Sequence, residues 1–390
     1  MKGNQEIKKQ LEEIPFELKR RLRIFDRGSA PYIEVDGRQM INLTSNNYLS
    51  LATDPLVIEG AVAAVKEDGA GAGSSRLIAG TSARITLLES KLAELKNTER
   101  ALVTTSGFTA ALSSIVALVG RSDGIVIEKS SHACLISGAR LSGSKTIFFR
   151  KNNLEGLTRA LKKLRDRSKR LLIILDGVHS MDGDIAPLPE ILNIAEEFDS
   201  FLLVDDAHGT GTLGPNGEGI FAHFGIKPSE YVIQMGTLSK ALGSQGGFLA
   251  ADKAIIDLFI QKSPAFIYTT GLNPAAVGAA NAALDILAKN NERVVNLRRN
   301  ISVFCKKIGI QTSKTPIIPI VIGGEKETIE LSNKLEAAGC LTLPIRPPTV
   351  PKGTSRLRLS VQSGHRLFVE TSEHASEERY LVLLRSSAAE

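Results

Sequence analysis

YVIQMGTLSKALGSQGG, residues 231–247, runs from an apolar strand into a loop of small residues. Val232, Ile233 and Met235 open it as a buried strand opens, and Lys240 is its only charge. No other charged residue lies between Glu230 and Asp252. Desolvation disfavours an ammonium in such surroundings, so a depressed pKa is expected for Lys240. A lysine that spends time neutral forms a Schiff base with an aldehyde or shuttles a proton. Thr237 and Ser239 set hydroxyls beside it, and Gly243, Gly246 and Gly247 allow close approach of backbone or ligand.

Upstream of this stretch, short apolar strands alternate with helices. The strands are Ala101–Val103, 124–129 (GIVIEK), 146–149 (TIFF), 170–176 (RLLIILD) and 201–206 (FLLVDD). Helices are expected near 57–66, 85–96 and 188–198. This alternation predicts an α/β fold with a mostly parallel sheet covered by helices. A charged amphipathic helix over about 5–23 and a hairpin over 32–43, turning at Asp36-Gly37, precede it. After about Asn290 the pattern changes: a helix (292–308), PIIPIVIGG, a helix (326–338) and CLTLPIRPPTVPKGTSRLRLSV. The expected organisation is an N-terminal helix and hairpin (1–44), a large α/β domain (45–290) and a small C-terminal α+β domain (291–390).

Composition narrows the function. The chain has 390 residues, 43% hydrophobic and 23% charged, with a formal net charge of +6. That is a globular composition with tolerance for anionic ligands. The densest basic run, 159–170, lacks interleaved aromatics and reads as a solvated helix face, so no nucleic-acid partner is expected. Cys134, Cys305 and Cys340 are odd in number and contain no CxxC pair, which points to reduced thiols in a cytoplasm. No apolar run approaches the roughly 18 residues of a membrane span.

In an open parallel sheet, ligands bind at the carboxyl ends of the strands. Here those ends carry pointed chemistry. Ser106-Gly107-Phe108 follows one strand at a helix N-terminus, an anion site built from backbone N–H groups. Ser131-His132, His179-Ser180-Met181-Asp182, Asp205-Asp206-Ala207-His208 and Thr237 to Lys240 follow others. A phosphate cradle, an aspartate, histidines and a neutral-capable lysine together fit pyridoxal 5'-phosphate, which needs a Schiff-base lysine and an anion against its ring nitrogen. Two rivals are weaker. The GxGxxG at 209–214 follows a strand as a dinucleotide motif does, but Pro215-Asn216-Gly217 stands where the helix should begin. Asp205, Asp206, His208, His179 and His132 could ligate a metal, yet no HExxH or paired CxxC supports it, and Lys240 is left without a role, so no metal is expected.

The set resembles the α-oxoamine synthases, pyridoxal-phosphate enzymes of the aspartate-aminotransferase fold (fold type I). The resemblance runs from about residue 20 to His365 through Asn46-Asn47-Tyr48-Leu49, GAGSSRLIAGT (71–81), TSGF (105–108), SHA (131–133), HSMDGD (179–184), VDDAHGTGTLG (204–214) and GTLSKALGSQGG (236–247). It implies that Lys240 holds the cofactor, that Asp205 pairs with the ring nitrogen, and that His208 and Ser180 meet the phenolic oxygen. His132 would stack on the ring. Ser106, Gly107, Phe108 and Thr237 would hold phosphate or ring, and Thr269 or Thr270 would reach it from a partner subunit of a homodimer. Arg358 would clamp the amino-acid carboxylate, with Arg20, Asn46, His132, Arg346 and Thr349 as further substrate contacts. In RLRLSV, Arg356 and Arg358 are expected on opposite faces, only one of them toward the site. The implied reaction is an acyl transfer in biotin biosynthesis. L-alanine condenses with a pimeloyl thioester of coenzyme A or acyl carrier protein, losing carbon dioxide and giving 8-amino-7-oxononanoate. Condensation of glycine with an acetyl donor is the alternative within the family. Three departures stand out. Ser50 replaces a usual glycine and Asp176 a common glutamate, neither expected to touch the chemistry. The tail after His365 does not match the family's acidic amphipathic helix.

Overall fold

A computed structural model describes residues 2–366. The tail beyond lies outside them, and with it the expectation about its last helix. In chain order the elements are α1 (Lys2–Glu12), β1 (Tyr32–Val35), β2 (Arg38–Asn42), α2 (Pro55–Asp68), α3 (Ala83–Lys96) and β3 (Arg100–Thr104). Next come α4 (Gly107–Leu118), β4 (Gly124–Glu128), α5 (Ala133–Ser142), β5 (Lys145–Phe149), α6 (Leu154–Arg165), β6 (Leu171–Asp176) and α7 (Leu188–Glu197). Then follow β7 (Phe201–Asp205), α8 (Ile220–His223), β8 (Val232–Thr237), β9 (Gly247–Ala251), α9 (Lys253–Lys262), α10 (Pro264–Ile267) and α11 (Pro274–Lys289). The C-terminal part holds α12 (Glu292–Ile308), β10 (Ile317–Gly323), α13 (Glu325–Ala337), β11 (Cys340–Leu341), β12 (Pro344–Ile345) and β13 (Ser355–Ser360).

Seven strands form the large sheet in the order β3-β9-β8-β7-β6-β4-β5. β4 to β8 pair in parallel, so their carboxyl ends share one edge. Every residue of β4, β6 and β8 is buried, as a sheet covered on both faces requires. One large apolar cluster and a second around α4, α5 and α9 fill the two sides. Two three-stranded sheets complete the fold, β10-β13-β12 and β1-β2-β11. The second joins the N-terminal hairpin to the C-terminal region through the parallel pair β2–β11.

Two elements differ from expectation. The N-terminal helix stops at Glu12 instead of continuing to about 23; Pro15 offers no N–H and disfavours helical backbone before it, and only a 3-10 turn, Phe16–Leu18, follows. The sheet also contains β9, antiparallel to both β3 and β8, in what reads from the sequence as the end of a glycine loop. Its glycine is an approach device: a Cβ on Gly247 would lie 2.4 Å from the Ser106 carbonyl oxygen. Ser50 also has an account. Its φ of 55° is the left-handed region that favours glycine. Its hydroxyl oxygen accepts from the Gly364 N–H at 3.0 Å, a bond glycine could not make.

Candidate active site

The carboxyl edge of the sheet opens into a cavity of about 260 Å3. Ser106, Gly107, Phe108, His132, Ser180, Asp205, His208, Thr237 and Lys240 all line it, brought together from the ends of five strands. Cys134, Asp176 and Ser239 line it as well. Asp176 therefore corrects the expectation that it stands away from the chemistry. It ends β6 opposite Asp205 in register, so the shorter carboxylate still reaches the cavity.

The floor is an anion cradle. Ser106 caps α4, its hydroxyl oxygen accepting from the Thr109 N–H at 3.1 Å, which leaves the first N–H groups of a 12-residue helix aimed outward. Beside them Thr237 donates to the Gly246 carbonyl at 2.9 Å, so the Ser239 hydroxyl, 2.6 Å away, donates to Thr237. A Cβ on Gly107 would come within 3.5 Å of the Thr237 side chain, so helix terminus and β8 sit in direct contact.

Lys240 extends across the opposite wall, its Nζ 2.9 Å from His208 Nε2. Burial, with the Arg358 charge adding to it and Asp205 opposing, brings its pKa down to about 8. Burial, then Lys240 and Arg358, hold His208 well below its ordinary value, so the imidazole is neutral. Asp205 is buried, and one oxygen accepts the Ala207 N–H at 3.0 Å. No donor from the described residues reaches its other oxygen, and burial raises its pKa despite Lys240. That is a buried acceptor presented to the cavity and waiting for a cationic donor.

Behind Lys240 lies a relay that the sequence reading did not single out. Tyr48, fully buried, sets its hydroxyl 2.8 Å from His208 Nδ1. Arg358 donates to that hydroxyl at 3.1 Å, to Asn46 Oδ1 at 3.0 Å and to the Ser180 carbonyl. Lysine, histidine, tyrosine and arginine thus form one bonded chain. The motif around Asn46 was visible in the sequence; the partner of its tyrosine, 160 residues away, was not.

Other expected residues fall elsewhere. Arg356 and Arg358 share a face of β13, because side chains two apart in a strand point the same way, and the expectation of opposite faces is corrected. What distinguishes them is their partner: Arg356 is engaged by Asp182 and by the Thr354 carbonyl. Arg346 donates to the Glu17 carbonyl, away from the cavity. Thr349 and Arg20 are exposed, with no bond to the cluster among the described residues. Thr269 and Thr270 line a neighbouring cleft with Arg76, Thr105 and Thr109. His179 is a strut: burial lowers its pKa, but Asp184 and Glu128 more than offset this and raise it to about 10, with Glu128 at 2.7 Å. Asp206 is paired with buried Lys96 at 2.7 Å, and α8 starts only at Ile220, so residues 209–219 are a loop around that ion pair and not a dinucleotide turn. Among the described residues, no group of three or more His, Cys, Asp or Glu is placed to hold a metal ion.

The aminotransferase class I and II family matches residues 38–367. An 8-amino-7-oxononanoate synthase of Maricaulis maris is 44% identical over 352 residues, covering 89% of this chain and 88% of that protein. Among solved structures, a serine palmitoyltransferase of Sphingomonas wittichii superposes with a TM-score of 0.88 at 28% identity, over 100% of this chain and 97% of the other. A serine palmitoyltransferase bearing pyridoxal phosphate as an internal aldimine superposes with a TM-score of 0.86 at 26% identity, over 99% of this chain and 96% of the other. The cradle, the buried carboxylate and the low-pKa lysine are the parts that cofactor requires. The chain belongs to the α-oxoamine synthases, pyridoxal-phosphate-dependent enzymes of the class I and II aminotransferase family.

Proposed function

We propose that the chain condenses L-alanine with a pimeloyl thioester of coenzyme A or acyl carrier protein, releasing carbon dioxide and the free thiol and yielding 8-amino-7-oxononanoate for biotin synthesis. The observation that carries this is the bonded chain from Lys240 to Arg358. It couples an amine that is half neutral near pH 8 to an arginine of the kind that binds a carboxylate. The reading of alanine and pimelate is supported by the 44% identical relative.

Pyridoxal phosphate, when bound, supplies an electron sink for the carbanion formed at the amino acid's Cα. The protein residues do the rest. Lys240 would hold the cofactor and would take and return the Cα proton; a pKa of about 8 suits both directions. Asp205 would keep the ring nitrogen protonated. His208 and Ser180 would meet the phenolic oxygen, and His132 would cover the ring face. Gly107 and Phe108 would hold the phosphate through their N–H groups, with Thr237 and Ser239 beside them turning a hydroxyl from its present acceptor toward it. Arg358, steadied by Asn46 and Tyr48, orients the amino-acid carboxylate. The site is proposed to be completed by a second copy of the chain, which would bring Thr269 or Thr270 to the phosphate. Tyr268 beside them is 83% exposed, and Ile78, three residues past the Ser75–Thr270 bridge, is 82% exposed, large surfaces for a monomer to leave bare. The cytoplasm is the compartment proposed, because the three cysteines are buried and form no disulfide among the described residues.

Arg358→Lys raises KM for the amino acid by roughly 10- to 150-fold, the loss of one charge-assisted hydrogen bond, and leaves KM for the thioester within about twofold. Arg356→Lys changes the amino-acid KM by less than about threefold, because its guanidinium serves Asp182. Steady-state kinetics on the two variants would reject the assignment if their effects were exchanged. The rate at which the cofactor-free apoprotein captures pyridoxal phosphate follows the neutral fraction of Lys240. It rises about tenfold per pH unit below 8 and levels off above it. Stopped-flow absorbance checks this, and levelling only near the ordinary lysine value would show that Lys240 is not desolvated. Substrate choice is tested by thiol release across a matrix of alanine, glycine and serine with pimeloyl, acetyl and palmitoyl donors. Alanine with pimeloyl gives the highest kcat/KM, and a maximum elsewhere moves the chain to another condensation of this family.

A further inference from the structure

His132 sits at the N-terminus of α5 and caps it: the Cys134 backbone N–H donates to His132 Nδ1 at 3.3 Å. Sγ of the same cysteine lies 2.9 Å from that same nitrogen. A backbone amide only donates, so Nδ1 carries its lone pair, and the neutral ring must bear its proton on Nε2. The thiol fits as a second donor. A thiolate would need a proton on Nδ1 and would compete with the amide. Burial, then Asp205 and Asp176, push the Cys134 thiol up, which keeps its proton. The cap is pinned from its other side, where the His132 backbone N–H donates to Asp176 Oδ1 at 3.1 Å. The ring lines the cavity, and no described residue partners Nε2.

We propose that Cys134 is a positioning residue: its amide and its thiol together lock His132 in the Nε2–H tautomer, so the ring meets the occupant of the cavity as a hydrogen-bond donor and never as a base. The tautomer is a property of the protein; only the identity of the occupant rests on the proposed function. The groups facing the ring are Asp205 at the end of β7, Asp176 at the end of β6, Lys240 after β8, His208 after β7 and Cys134 itself. A donor on Nδ1 stabilises the neutral ring, so removing it makes the ring more basic.

The test is NMR of the holoenzyme labelled with 13C,15N-histidine, the signal among the chain's six histidines being assigned by its loss in His132→Asn. The wild type is expected to show an unprotonated Nδ1 and a protonated Nε2 from about pH 6 to 9. Cys134→Val keeps the amide and removes the thiol. The ring pKa should rise by about half to one unit, and the acid limb of kcat/KM should move up with it, three- to tenfold in rate on that limb. Cys134→Ser restores a donor and should return both readouts to wild type. A wild-type ring protonated on Nδ1 overturns the proposal, as does a folded Cys134→Val with unchanged ring pKa. If Cys134→Val does not fold, the wild-type tautomer decides.

Discussion

Lys240→Ala is expected to lower turnover by at least about 1,000-fold while leaving the fold intact. The side chain reaches into a cavity and, among the described residues, bonds only to His208. Two roles vanish together, the covalent hold on the cofactor and the proton transfer at Cα. General acid–base catalysis alone contributes on the order of 100- to 10,000-fold. The structural reason is the pKa: an ordinary surface lysine would be almost wholly protonated near pH 7, whereas burial brings this one to about 8. Borohydride reduction of the wild type followed by peptide mapping should place the cofactor on the peptide containing Lys240. Label on another lysine, or residual turnover within tenfold of wild type in Lys240→Ala, would remove Lys240 from the centre of the account.

Asp205→Asn should retain the cofactor and lose about 100- to 1,000-fold in kcat, the scale of removing one preorganised electrostatic partner. The carboxylate ends β7 with one oxygen fixed by the Ala207 N–H and the other facing the cavity. Burial raises its pKa, and a protonated ring nitrogen against that oxygen would draw it back to the charged form. An amide cannot keep that nitrogen protonated, so charge developing at Cα loses its sink. Cofactor content by absorbance and kcat by thiol release separate the two effects. Near-normal kcat with full cofactor would mean that the ring's partner lies elsewhere, and Asp176, the register neighbour, would be the next residue to change.

The sequence exposed those parts of the site that are local in the chain. A strand followed by Ser106-Gly107, by Asp205 or by Thr237 to Lys240 announces itself, because parallel strands deliver their carboxyl ends to one edge. What it hid depends on contacts between distant segments. Tyr48 reads as a core aromatic until His208 is placed against it. Asp176 reads as a strand terminus until β7 lies beside β6. Cys134 reads as one more reduced thiol until the turn at the start of α5 sets it on His132. β9 was hidden by its own glycines, which look like loop residues and serve as the close approach that packs the cradle against the sheet. The pair Arg356 and Arg358 carries a different lesson. Strand period places both on one face, and only the presence of Asp182 and Tyr48 separates an ion-paired strut from the arginine proposed to meet the substrate carboxylate.

The most direct measurement of the central claim follows carboxyl-labelled L-alanine with pimeloyl-coenzyme A and the holoenzyme. Decarboxylative condensation predicts one labelled carbon dioxide for every free thiol, both absent without either substrate and both lost in Lys240→Ala. Thiol release without labelled carbon dioxide, or conversion of alanine to pyruvate with the label retained, would contradict it.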